Sequence, residues 1–315
     1  MATAKRTKAS EKQAICKKLV TVLKKRYSAK FSNESRPVLE TMLYGICLEN
    51  ANVDAADQAY ARLFAQFHDF NEIRVSSVRE IEPVFEGMAD ADWRGLRARY
   101  VLQHVFEKRY AFDFDHLKRK THDLANKHLS KIKYLTPFVR FFTLHQTFGS
   151  HLVPADDCMC NAAIWLGLLE PKVTTKTASE ALKSAVRKSD VPLFAHMLRQ
   201  LACDPKLQFA FDLENTDVPN EGFDTAQSPG RLPELFKEGE DRAKRKPKKK
   251  KTATTKKTQT KKVKTKKVKK KATKHSAASR TAKTKKKSTI KKKTVKKPVK
   301  KKSARVAKKT TRKKK

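Results

Sequence analysis

Apolar residues recur every three or four positions through most of the first 205 residues, and the alternation of a half-buried strand is scarce, so the pattern predicts helices. A first helix is expected over about 10–27, with Ile15, Leu19, Val22 and Leu23 on one face. A second starts near Pro37, a residue suited to the first helical position, and carries Leu39, Met42, Leu43, Ile46 and Cys47. A third covers about 54–68 with Ala55, Ala59, Leu63 and Phe67. Ser76 or Ser77 can cap a helix through Ile81 and Phe85, with Glu80 placed for a capping box. Asp90 can cap the next, which holds Leu96, Tyr100, Val101 and Val105. Further helices are expected at about 113–129, 137–148, 156–167, 178–188 and 190–203. Few glycines are available for tight turns, so the expected fold class is all-α.

Beyond residue 204 the period fades into Pro, Gly, Asp and Glu, and residues 206–240 read as a linker wrapped on or leaving the domain. The expected organisation is a basic N-terminal helix in 1–30, a helical domain in 31–205, the linker, and a tail from 241 to 315. Charge separates the tail sharply. The chain carries 74 Lys and Arg against 32 Asp and Glu, a formal charge of +42, and 39 of those cations lie in 241–315 beside one acid. Every aromatic residue precedes Lys237, so the tail has nothing to build a core from and is expected to be extended and disordered.

Lys248, Lys249, Lys250 and Lys251, and Lys261 and Lys262 of a loose Lys-Lys-Val-Lys repeat, suit a polyanion. Release of condensed counterions would drive their binding to the phosphate backbone of double-stranded DNA, with steep salt dependence. Without aromatic rings and with few Arg forks, the tail is expected to ignore base sequence. Its composition resembles the lysine-rich tails of linker histones and some bacterial nucleoid proteins. No stretch reaches the roughly 18 to 20 apolar residues of a membrane span, and no apolar signal core follows the start. The expectation is a soluble intracellular protein without a membrane partner, cytoplasmic and nucleoid-associated, or nuclear in a eukaryote. Five cysteines, an odd number spread over a large domain, fit reduced thiols. Cys158 and Cys160 would diverge by about 200° on a helix, and the histidines lack ligand spacing, so no metal site is expected.

Several segments between 40 and 205 carry a family resemblance in their order. Cys47-Leu48-Glu49-Asn50-Ala51-Asn52-Val53 is followed by an amphipathic helix ending in Phe67-His68-Asp69-Phe70, and then by Trp93-Arg94-Gly95-Leu96-Arg97-Ala98-Arg99. Thr147-Phe148-Gly149-Ser150-His151-Leu152-Val153-Pro154-Ala155-Asp156 and Ile164-Trp165-Leu166-Gly167-Leu168 complete the series. This order resembles the helix-hairpin-helix DNA glycosylase superfamily (HhH-GPD), the endonuclease III and adenine glycosylase group. The resemblance implies an all-α glycosylase fold, a DNA partner, and Asp156 at the place of the catalytic aspartate. There a carboxylate would stabilise the positive charge that builds on the sugar as the glycosidic bond breaks, or activate a water. Asp156 is equally suited to capping the helix it precedes, a role for which Asp157 competes. Asn50 stands where the family's Gln fills the gap left by a displaced nucleotide, and an Asn also suits a helix end or turn.

The departures restrict the chemistry. The family's hairpin Leu-Pro-Gly-Val-Gly-x-Lys corresponds to Ile132-Lys133-Tyr134-Leu135-Thr136-Pro137-Phe138. Phe138 replaces the Schiff-base lysine, so strand cleavage by the lyase route is not expected. The two hairpin glycines are replaced, leaving Lys131, Lys133 and Thr136 as candidates for phosphate contact. Gly45 stands where the adenine branch has its catalytic Glu, and Glu49 is expected to point elsewhere. The iron–sulfur subgroup's four-cysteine array has only Cys203 near its place, so no cluster and no cofactor is expected. Two functional readings follow: a monofunctional N-glycosylase tethered by its tail, and a non-catalytic DNA-organising or damage-sensing protein.

Overall fold

A computed structural model describes residues 9–31, 34–213, 219 and 222–245. The described residues contain helices and turns and no strand. The helices are α1 (Ala9–Leu23), α2 (Val38–Leu48), α3 (Val53–Gln66), α4 (Phe70–Val75), α5 (Val78–Ile81), α6 (Ala91–Arg109) and α7 (His122–Leu129). They continue as α8 (Pro137–Phe148), α9 (Asp157–Trp165), α10 (Thr175–Lys183), α11 (Val191–Ala202), α12 (Gln208–Phe211) and α13 (Ser228–Arg245). The lysines at 248–251, 261 and 262 lie outside the described residues.

Two cores organise these helices. One joins α2 through α8 around Met42, Ile46, Phe85, Val101, Phe138 and Val139. The other joins α1 to α9–α13 around Leu19, Leu23, Met159, Leu182, Phe194, Leu198 and Leu232. The chain therefore begins in the second core, crosses to the first, and returns. Burial of α2 is almost continuous because α3, α6 and α8 all pack on it. Gly45 lets α2 close on α8: a β carbon there would meet the Val139 and Phe142 side chains at 3.2 Å, so any larger residue would press on them.

Local chemistry explains most helix starts. Ser77 and Glu80 form the expected capping box, and Thr136 caps α8 by accepting from the Val139 amide at 3.2 Å. Asp90 departs from expectation. It precedes α6 with φ 55°, outside the extended backbone from which N-cap side chains accept first-turn amides, and makes no side-chain capping bond. The helix expected over 113–129 is divided into a 3-10 turn at Asp115–Arg119 and α7. Asp115 is engaged elsewhere: its Oδ1 accepts the Val38 amide at 2.8 Å and so caps α2.

The described residues of 206–240, expected as a linker wrapped on or leaving the domain, pack on it as helices. Among them are α12, a 3-10 turn at Thr225–Gln227 and most of α13, which continues to Arg245. The sequence signal is hidden by Gly230 and Pro233, yet Leu232 and Leu235 are buried in the second core and outweigh those local costs. Gly239 permits the contact, since a β carbon there would lie 2.5 Å from Leu207 Cδ2. Likewise α1 ends at Leu23, short of the expected 27. Arg26 and Tyr27 then turn to Asp204, whose Oδ2 accepts from the Tyr27 hydroxyl at 2.8 Å.

Candidate functional site

The end of α2 is the centre of the site. Its last carbonyls are gathered by two buried arginines from different helices. Arg94 of α6 is 2% exposed and donates to the carbonyls of Ala89, Ile46, Cys47 and Glu49. Arg199 of α11 donates to the carbonyls of Leu48 at 2.7 Å and Ala51 at 3.1 Å. Cations at a helix C-terminus neutralise its partial negative charge, so the pair holds the chain as it leaves α2. Asn50 makes the turn with φ 50°, a left-handed backbone that Asn tolerates.

Asp156 closes the arrangement from the start of α9. Its side chain is fully buried and pairs with Arg199 Nη1 at 2.7 Å, and Arg199 is itself only 5% exposed. Oδ2 also accepts the Asn50 amide at 2.9 Å, while Oδ1 accepts the Met159 amide at 2.9 Å as the N-cap of α9. Three donors thus occupy this carboxylate. Asn50 spans the same junction through its side chain, accepting from the Cys158 amide at 3.2 Å. The Arg199 guanidinium lies 4.9 Å above the Phe138 ring, and Phe138 stacks on Phe142.

A cavity of about 150 Å³ opens beside this junction, lined by Glu49, Asn50, Asp90, Arg97, Thr136, Phe138 and Asp157 among others. Glu49 was expected to point elsewhere; it lies one residue past the helix and faces this cavity. It is 7% exposed and pairs with Arg97 Nη1 at 2.7 Å. Burial nevertheless raises the Glu49 pKa above the ordinary carboxylate value, outweighing the Arg97 charge and the Thr136 hydrogen bond. Asp157, by contrast, is exposed at the mouth, with the Asn50 side-chain Nδ2 3.5 Å from its Oδ2. Such a cavity can present a carboxyl able to donate a proton and a second carboxyl able to face positive charge.

Of the residues singled out from sequence, Asp156, Asn50 and Thr136 come together here with Phe138. Lys131 and Lys133 do not: both are exposed on the hairpin. Lys131 borders a separate basic cavity with His104, Lys108, Arg109, His116 and His128, and the Lys133 ammonium lies 4.7 Å from the Tyr134 ring centre. Sequence reasoning missed Glu49, Arg94, Arg97 and Arg199 as site residues. For Arg199 a signal existed, because its neighbours three and four positions away are Ala195, His196, Ala202 and Cys203, none of them an acid.

Among the described residues no group of three or more His, Cys, Asp or Glu side chains could hold a metal ion. Burial pushes the Cys47 and Cys203 thiols up to about 12. No helix among the described residues is long and apolar enough to cross a membrane.

The chain is similar in structure to two DNA-acting proteins. One is a trapped endonuclease III–DNA covalent intermediate in an estranged-adenine complex, 11% identical, with a TM-score of 0.49 over 75% of this chain and 99% of that one. The other is a thermostable thymine-DNA glycosylase, 12% identical, with a TM-score of 0.47 over 62% of this chain and 89% of that one. No protein-family model matches the sequence, and no curated protein matches it.

Proposed function

We propose that the protein is a DNA-binding, endonuclease III-like protein of base-excision repair, a monofunctional DNA N-glycosylase tethered to duplex DNA by its lysine-rich C-terminal segment. One observation carries this reading. Three of the segments whose order resembles the glycosylases meet at a single place, beside the altered hairpin, although they are far apart in sequence: the Asn50 amide donates to Asp156 across 106 positions, and Arg97 lines the adjoining cavity with Thr136 and Phe138 of the hairpin. A base displaced from the duplex would enter this cavity. Glu49, kept protonated more readily than an ordinary carboxyl, would donate a proton toward the leaving base, and Asp157 would stabilise charge on the sugar. Asp156 serves by fixing the wall on which both depend. Phe138 cannot form an imine, so water is the nucleophile and an intact abasic strand the product.

A second reading, a non-catalytic DNA-organising or damage-sensing protein, is favoured by the sealed state of Asp156, whose carboxylate is held by Arg199 and two amides. The deciding experiment incubates the full chain with duplexes carrying uracil, alkylated, oxidised or mismatched bases, beside Glu49→Gln and Asp157→Asn variants. Cleavage that appears only after alkali, and is lost in Glu49→Gln, supports the glycosylase. Salt-sensitive binding with no cleavage of any duplex supports the second reading.

A further inference from the structure

The outer face of α6 carries Trp93, Arg97 and Tyr100 at positions i, i+4 and i+7, which places them along one side of the helix. The hairpin before α8 lays a third ring on this side. Tyr134 packs edge-on against Tyr100, with centroids 4.7 Å apart, and lies 6.3 Å from Trp93. These rings are not sealed into a core. Trp93 is 46% exposed and Tyr134 39% exposed, among only six large hydrophobic side chains so exposed in the described residues.

Tyr134 also stands on an unfavourable backbone. Its φ of 63° is a left-handed conformation that glycine adopts without strain and a bulky side chain does not. The hairpin thus keeps a glycine-like turn while carrying an aromatic ring, and that ring is directed outward. The Lys133 ammonium lies 4.7 Å from the centre of Tyr134 and 5.5 Å from that of Tyr100, so a cation borders the rings. Arg97, between Trp93 and Tyr100 on the helix, reaches inward to Glu49 in the cavity. The aromatic surface therefore begins where the candidate cavity ends.

We propose that Trp93, Tyr100 and Tyr134 form a stacking platform for an unpaired nucleobase, with Lys133 placed for the adjoining phosphate. The proposal rests on the DNA-binding reading and goes beyond it, since phosphate contacts alone would not distinguish paired from unpaired strands. Aromatic rings stack on any base, and a base inside a regular duplex offers them no free face, so the occupant is a bulged, looped or single-stranded nucleotide. The platform would hold such a nucleotide at the mouth of the cavity.

The test compares the full chain's affinity for a duplex with a two-nucleotide bulge and for the same duplex fully paired, at fixed salt, by fluorescence anisotropy. Tyr134→Gly and Trp93→Ala are measured beside the wild type, with thermal melting as the control. Glycine suits the backbone at 134, so Tyr134→Gly removes the ring without unfolding the hairpin. The expected result is a preference of about tenfold for the bulge in the wild type, reduced to about twofold or less in each variant. A preference retained in both variants would overturn the platform. Equal, salt-sensitive binding of both duplexes by the wild type would overturn it while leaving the DNA-binding reading intact. Binding of neither duplex would overturn both.

Discussion

Replacing Asp156 by asparagine probes the junction on which the site depends. The substitution keeps one oxygen, which can still accept the Met159 amide, but presents an NH2 group to two donors, the Asn50 amide and the Arg199 guanidinium. Removing one partner of a buried ion pair costs about 3–5 kcal/mol. Arg199 retains the carbonyls of Leu48 and Ala51, so the lower end, about 3 kcal/mol, applies. For a folded region of this size that lowers Tm by roughly 6–12 °C. The assay is thermal and urea unfolding of the wild type, Asp156→Asn, Arg199→Met and the double variant. Because the two groups neutralise each other, the double variant should be more stable than the summed single losses predict, by at least about 1.5 kcal/mol. Additivity within about 0.5 kcal/mol, or a loss below about 1 kcal/mol in Asp156→Asn, would refute the buried pair.

Other expectations follow from the same geometry. Since the folded-state pKa of Glu49 is raised, its contribution is complete below the unfolded value of 4.5 and is lost as pH rises through the folded value. Glu49→Gln should therefore gain Tm relative to the wild type between pH 4 and pH 7, and a gain in the opposite direction would contradict its burial. Gly167 has φ 70°, and a β carbon there would lie 2.1 Å from the Phe223 carbonyl oxygen. Gly167→Ala should cost more than the roughly 1–2 kcal/mol of a left-handed alanine, as read by urea unfolding. Leu232→Ala should destabilise the chain by about 2–5 kcal/mol in the same assay, whereas a residue in a linker would change little. Cys47 and Cys203, with thiols pushed up to about 12, should resist alkylation at pH 8 until the protein is unfolded, as read by mass spectrometry.

The helices of the first core are legible wherever local and tertiary preferences agree. Pro37 before an apolar run marks α2, Ser77 and Glu80 mark α5, and in the second core Asp156 marks α9, since short-range capping chemistry is written in neighbouring residues. Asp90 and Asp115 show the limit of that logic: each is a capable cap, but one sits on a left-handed backbone and the other caps a helix 77 positions away. In α13, Gly230 and Pro233 argue locally against a helix that burial of Leu232 and Leu235 nevertheless stabilises. The candidate site was legible at Asp156, Asn50 and Thr136 through motif order. Arg94 was not, because its partners are main-chain carbonyls and no sequence pattern names a carbonyl, and Arg199 showed only the lack of a local acid, its partners being the distant Leu48 and Ala51 carbonyls and Asp156. Glu49 was assigned away from the site by extending helical geometry past Leu48, where the helix stops.

The most direct test of base removal by the Glu49 cavity is single-turnover release of free base from the duplex the protein binds best, followed chromatographically, with borohydride present in a parallel reaction. Release should fall by at least about 100-fold in Glu49→Gln, with no borohydride-trapped protein–DNA adduct. A trapped adduct, or release undiminished in Glu49→Gln, would contradict it.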